Sequence, residues 1–109
     1  MINENTEVLI IGWPDPLDDN YIDYFHRCAL KDSLSKMENY IKELNLDRKR
    51  RLFYQFSVLL VGEKGGHKLI YTYYGDKTIS VKDEFIDIMN ELGIRSISKR
   101  YRFTECEEI

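Results

Sequence analysis

The chain has 109 residues, of which 43% are hydrophobic and 32% charged, and its net charge is −3. These values fit one globular domain covering residues 1–109, with frayed ends at 1–6 and 104–109, and they exclude a disordered chain. No apolar stretch approaches the ~20 residues that span a bilayer. The acidic N-terminal stretch does not resemble a signal peptide, so we expect a cytoplasmic protein.

The first half of the chain predicts one strand and then helical structure. Residues 8–13 are a continuous apolar run that Pro14 closes, which is typical of a buried strand. Residues 19–45 show apolar spacings of three and four, which predict an amphipathic helix. Because this apolar stripe changes phase near residues 28–30, the sequence allows either one helix or two.

The second half predicts a hairpin, a helix and a last strand. Segments 52–61 and 68–74 alternate like strands around a glycine-rich turn at 62–66. Ser80 with Asp83 resembles a capping box for a helix that ends near Leu92. Gly93 stands where a left-handed residue would close that helix, with Ile94 returning to Met89. Residues 97–103 alternate again and predict a final strand.

The predicted order is therefore β-α-β-β-α-β. Two right-handed crossover units that share a central hairpin would give a four-stranded antiparallel sheet with both helices on one face. We therefore predict an α+β domain of the ferredoxin-like type.

The sequence contains no pattern that identifies catalysis or a cofactor. It has no phosphate-binding glycine loop and no nucleophile elbow. His26 and Cys28 form a single close pair of metal ligands, whereas a structural zinc site needs two. Asp15 lies near the end of the first strand, where some nucleases of this fold hold a metal, and this alternative stays open. We therefore predict no catalytic residue, no metal and no cofactor.

An acidic and aromatic segment is the best candidate for binding. Carboxylates and tyrosines interleave there without any basic residue, and this combination suits a basic protein partner. Small acidic inhibitors, such as immunity proteins of bacterial toxin systems and phage-encoded inhibitors, share this arrangement in general terms. We predict partner contacts at Asp15, Asp18, Asp19, Tyr21, Asp23 and Tyr24.

Three further alternatives stay open at this stage. A plait resembles RNA-recognition domains, which stack bases on strand aromatics, and the equivalent residues would be Tyr71, Tyr73, Arg100 and Arg102. Regulatory plait domains sense small ligands through the loop after the first strand, where Gly12 and Asp15 lie. A homodimer is compatible with either function, because a plait leaves edge strands and one open face.

Overall fold

The computed structural model describes residues 2–14 and 22–96. These residues form a mixed α+β fold with one five-stranded antiparallel sheet and three α-helices. The strands are β1 (Glu7–Trp13), β2 (Tyr24–Ala29), β3 (Gln55–Val61), β4 (His67–Tyr74) and β5 (Ile79–Val81). The helices are α1 (Ser33–Leu44), α2 (Arg48–Phe53) and α3 (Ile86–Glu91), and short 3₁₀ turns at Leu30–Asp32 and Asp83–Phe85 precede α1 and α3.

The strand order is β2-β1-β3-β4-β5, and every neighbouring pair is antiparallel. Residues paired across strands share a face, so Ile10, Val58, Tyr71 and Val81 form one row across four strands. The hydrophobic core contains this row together with Met37 of α1 and Met89 of α3. The helices therefore cover this face, which we call the helix-facing side. The opposite face is called the open side, because no described helix packs on it.

The α+β class is confirmed, but the predicted ferredoxin-like plait is wrong for the described residues. In a plait the first strand and the strand at 52–61 would be separated by the strand at 68–74. In the structure β1 pairs directly with β3, with Ile10 opposite Val58. The sheet also gains β2 and β5, two strands that the sequence analysis did not predict. The predicted strand at 97–103 lies outside the described residues.

The largest correction concerns residues 22–29, which we predicted as helix. They form β2, which pairs with β1 from Glu7↔Ala29 to Gly12↔Tyr24. Tyr24 and Cys28 pack against the core, whereas Phe25 lies on the open side and is 65% exposed. The helix-like spacing of Phe25 and Cys28 therefore did not reflect a common face. The phase change near residues 28–30 marks the junction of a strand with a helix.

Residues 30–44 agree better with the sequence. The core contains Met37 and Ile41 of α1, and Leu34 and Leu44 pack at its margin, as the spacing predicted. The helix ends at Asn45, whose φ of 48° is left-handed.

The end of α3 confirms the predicted closure at Gly93. This glycine has a φ of 80°, and its N–H donates to Asn90 at 3.1 Å, while Ile94 donates to Met89 at 2.8 Å. These two bonds define a Schellman end. The predicted start of this helix is wrong, because Ser80 belongs to β5.

Residues 3–6, which we predicted to fray, are held by backbone hydrogen bonds. The Leu30 N–H donates to Thr6 at 2.8 Å and the Lys31 N–H donates to Glu4 at 2.9 Å. The N-terminal segment is thus joined to the junction of β2 with α1. Across the described ranges, no helix is both long enough and apolar enough to cross a membrane.

Candidate protein-binding surface

The structure describes two of the six predicted partner-binding residues. Asp23 and Tyr24 lie where β2 begins, beside the end of β1. The other four predicted residues, Asp15, Asp18, Asp19 and Tyr21, lie outside the described residues. Residues 22–25 directly follow that acidic stretch, and we call them the 22–25 segment.

Asp23 is fixed to the core through three contacts. Its N–H donates to the Gly12 carbonyl at 3.0 Å, and its own carbonyl accepts the Tyr40 hydroxyl at 3.1 Å. The Tyr54 hydroxyl donates to carboxylate oxygen Oδ1 of Asp23. The aspartate itself is exposed. The structure therefore presents an exposed acidic group in a defined position.

An aromatic cluster supports this position from the helix-facing side. The ring of Tyr24 lies 4.4 Å from that of Tyr40 and meets Phe56 edge-on at 5.6 Å. Phe56 in turn lies 4.8 Å from Tyr54. Gly12 makes this packing possible, because a Cβ at this position would lie 2.7 Å from the Phe56 ring. Offset and edge-on aromatic pairs add to the energy of simple burial, so the cluster forms a stiff base for Asp23.

The hydroxyl groups of this cluster stay protonated at neutral pH. Burial is the main cause that raises the pKa of Tyr24, with smaller effects from Cys28 and Tyr40. Burial also raises the pKa of Tyr54 strongly, and the neighbouring Asp23 carboxylate adds to that shift. A protonated Tyr54 is the donor that the Asp23 carboxylate requires.

Two exposed apolar side chains stand on either side of the anchored pair. Ile22 is 47% exposed and Phe25 is 65% exposed. The other large hydrophobic residues with comparable exposure in the described part of the chain are Leu52 and Phe53, at the end of α2. The 22–25 segment therefore combines a fixed carboxylate with two apolar anchors.

The segment also begins an edge strand of the described sheet, since β1 is the one described strand that pairs with β2. The Leu30 N–H donates to the Thr6 carbonyl, directly across the ladder of β1 and β2. In an antiparallel ladder such hydrogen-bonded pairs recur at every second residue. The backbone groups of Phe25, Arg27 and Ala29 therefore point away from β1. They offer main-chain donors and acceptors next to the exposed Phe25 ring.

The two tyrosines of the nucleic-acid alternative are not arranged for base stacking. Tyr71 and Tyr73 are buried beneath the helices, and the Tyr71 hydroxyl is paired with that of Ser33. Rings in this position offer no free face to a base. Arg100 and Arg102 lie outside the described residues.

The described ranges contain one cysteine, Cys28, and few closely spaced metal-ligand side chains. Within them, no three side chains of the His, Cys, Asp or Glu type are grouped closely enough to hold a metal ion. Cys28 is half-buried, and burial raises the pKa of its thiol. A raised thiol pKa reduces the fraction of reactive thiolate.

Sequence reasoning missed the two tyrosines that fix Asp23. Tyr40 follows Met37 by three residues on α1, so its place beside the core was detectable from the helical spacing. Tyr54 lies in the segment 52–61, which the sequence predicted as a strand. No sequence signal indicated that its hydroxyl would contact Asp23. That contact depends on residues 22–29 forming a strand.

No protein-family model, no curated protein and no solved structure matches this chain.

Proposed function

We propose that this chain is a non-enzymatic binding protein that docks a basic protein partner on the 22–25 segment and the acidic stretch before it, and so neutralises or regulates that partner. The observation that carries the proposal is the flanking of an anchored carboxylate, Asp23, by the exposed side chains of Ile22 and Phe25. Interfaces of high affinity commonly place aromatic anchors at the centre and charged groups around them.

Charge supports a basic partner. Four aspartates, Asp15, Asp18, Asp19 and Asp23, occur between residues 15 and 23, and no lysine or arginine interrupts them. Opposite charges on two proteins accelerate their encounter, and that acceleration falls with ionic strength. The acidic stretch would therefore steer the partner, while Phe25 and Ile22 would supply contact area after docking.

Preorganisation supports the same conclusion. Asp23 is held by Gly12, Tyr40 and Tyr54, so binding would not have to order this part of the backbone. Association costs less when interface groups are already fixed in the bound conformation. The free backbone groups of β2 would add hydrogen bonds from an extended partner segment.

The test compares matched variants as immobilised baits in a lysate of the source cells, with captured proteins identified by mass spectrometry. The variants are Phe25→Ser and Asp23→Lys, and the control is Phe53→Ser, which changes a side chain of similar exposure (52%) at the end of α2. We expect the wild type and Phe53→Ser to retain a basic protein that both other variants lose.

The captured protein is then purified and its association rate with the wild type is measured at low and at high salt. We expect the rate to fall by at least about tenfold, because acidic residues steer the encounter. Equal capture by all four baits would overturn the proposal, as would an association rate that salt leaves unchanged. Capture of nucleic acid alone would favour the alternative function.

A further inference from the structure

One groove among the described residues lies away from the 22–25 segment. It encloses about 600 Å³ between α1, α2 and the turn that joins β4 to β5. Pockets for small organic ligands typically enclose several hundred cubic ångströms, so this groove has a suitable size. Its polar walls carry Lys42, Arg48, Arg51 and Lys77, and its floor contains Ile41 and Tyr73.

Backbone contacts fix the two walls relative to each other. The Gly75 N–H donates to the Tyr54 carbonyl at 2.8 Å. A Cβ at Gly75 would lie 1.5 Å from the Arg51 carbonyl oxygen, so only glycine allows the turn to approach α2 this closely. Asp47 caps the start of α2 by accepting the Arg50 N–H at 2.9 Å. The groove is therefore formed before any ligand arrives.

The charge of the groove is unbalanced. Four cationic side chains line it, against the carboxylates of Glu38 and Asp76. Arginine matches the geometry of a phosphate group and binds it through paired N–H donors.

The floor offers a different chemistry. Ile41 and Tyr73 are buried, and burial raises the pKa of Tyr73 to about 12. The Tyr73 hydroxyl therefore stays protonated at neutral pH. Leu52 adds a half-exposed apolar side chain to the lining. Leu52 is therefore the apolar side chain that the groove presents to the organic part of a ligand.

We propose that this groove binds a small organic phosphate, with Arg48 and Arg51 on the phosphoryl group and Leu52 against the organic part. This site is separate from the 22–25 segment and goes beyond protein binding. A nucleic-acid strand is the rival ligand that the experiment must distinguish.

The test measures binding by isothermal titration calorimetry at about 0.15 M salt, where weak surface attraction is largely screened. The probes are phenyl phosphate, adenosine diphosphate, inorganic pyrophosphate, adenosine and a short single-stranded oligonucleotide. We expect at least one of the two organic phosphates to bind more tightly than pyrophosphate and adenosine. The dissociation constant should be lower than the order of 1 mM.

Two single variants on the same helix provide the control. Arg48→Ala removes a cation that lines the groove, whereas Lys49→Ala removes a cation of α2 that does not. We expect Arg48→Ala to weaken binding of the organic phosphate by about tenfold or more, and Lys49→Ala by less than about twofold. Thermal melting without ligand shows whether each variant remains folded.

Three results would overturn the proposal. The first is that no organic phosphate binds in the millimolar range. The second is that Arg48→Ala and Lys49→Ala weaken binding equally, which would indicate a diffuse effect of charge. The third is that the oligonucleotide binds while both organic phosphates do not, which would assign this basic surface to nucleic acid.

Discussion

The hydroxyl of Tyr54 donates a hydrogen bond to the carboxylate of Asp23, although the two residues are 31 positions apart in the chain. Tyr54 lies between α2 and β3, and Asp23 directly precedes β2. The bond therefore ties the exposed start of an edge strand to a buried ring of the core. The Tyr54 carbonyl also accepts the Gly75 N–H. Tyr54 therefore contacts both the 22–25 segment and the turn that borders the proposed phosphate groove.

Removal of this bond is expected to destabilise the protein modestly. Tyr54→Phe should lower the free energy of unfolding by about 1 kcal/mol, because one hydrogen bond is lost and the aspartate remains solvated. Urea denaturation of Tyr54→Phe, Asp23→Ala and the double variant measures this coupling. Asp23→Asn is the control, since its amide oxygen still accepts the bond. Additive effects of the two single changes would show that the contact contributes nothing.

Gly75→Ala is expected to be strongly destabilising. The new Cβ would meet the Arg51 carbonyl oxygen at 1.5 Å, so the backbone of the turn or of α2 must move. We expect a loss of more than about 2 kcal/mol in the free energy of unfolding, which is large for one methyl group. Gly66→Ala is the matched control, because its Cβ would meet no atom within 4 Å. Similar melting temperatures for both variants would contradict the close approach of the turn to α2.

Phe25 of β2 and Phe56 of β3, the two strands that flank β1, should respond very differently to substitution. Phe25→Ala changes an exposed side chain and should alter the free energy of unfolding by less than about 0.5 kcal/mol. Phe56→Ala empties a fully buried site and should cost about 3–5 kcal/mol. Chemical denaturation measures both values. If Phe25 instead faced the core of an amphipathic helix, as the sequence spacing suggested, the two losses would be comparable.

Stability should decline in alkaline solution because of the buried tyrosines. Burial raises the pKa of Tyr73 from 10.0 in the unfolded chain to about 12 in the folded protein. The folded state therefore holds this proton more tightly, and the resulting stabilisation is complete below pH 10. It is lost progressively as the pH rises from 10 to about 12.

Denaturation at several pH values across this interval tests the effect, and Tyr73→Phe should show a shallower decline. Tyr71 has a pKa that burial raises still further, so it should contribute in the same direction. Ultraviolet absorbance of the phenolates provides a second measurement. A wild-type slope that Tyr73→Phe leaves unchanged would assign the alkaline decline to other groups.

Local sequence signals predicted the elements whose residues contact their own neighbours. The apolar run of β1, the stripe of α1 and the glycine that closes α3 all depend on residues close together in the chain. The strand nature of β2 depends instead on pairing with β1, which competes with a helix-like spacing of Phe25 and Cys28. The three residues of β5 are too few to show alternation.

The candidate binding surface was predictable only in part. The alternation of acids and tyrosines drew attention to Asp23 and Tyr24 from composition alone. The supporting contacts from Tyr40 and Tyr54, and the outward position of Phe25, depend on tertiary arrangement. The proposed phosphate groove was not predicted from the sequence. It forms where Gly75 approaches Arg51, and these two residues are far apart in the sequence.

The irregularity of β4 has a consequence for insertions and deletions. The pairing of β3 with β4 shifts between Val58 and Leu59, so Ile70 is an extra residue without a partner on β3. This shift brings Lys68 to the helix-facing side, where it pairs with Glu84 at 2.8 Å and lies 5.8 Å from the centre of the Phe85 ring. A regular ladder that kept Ile70 opposite Leu59 would exchange the sides of Lys68 and Leu69, whereas deletion of Ile70 would remove the extra residue and leave both on their present sides. Strand β4 should therefore tolerate the loss of one residue at this shift more readily than the gain of one.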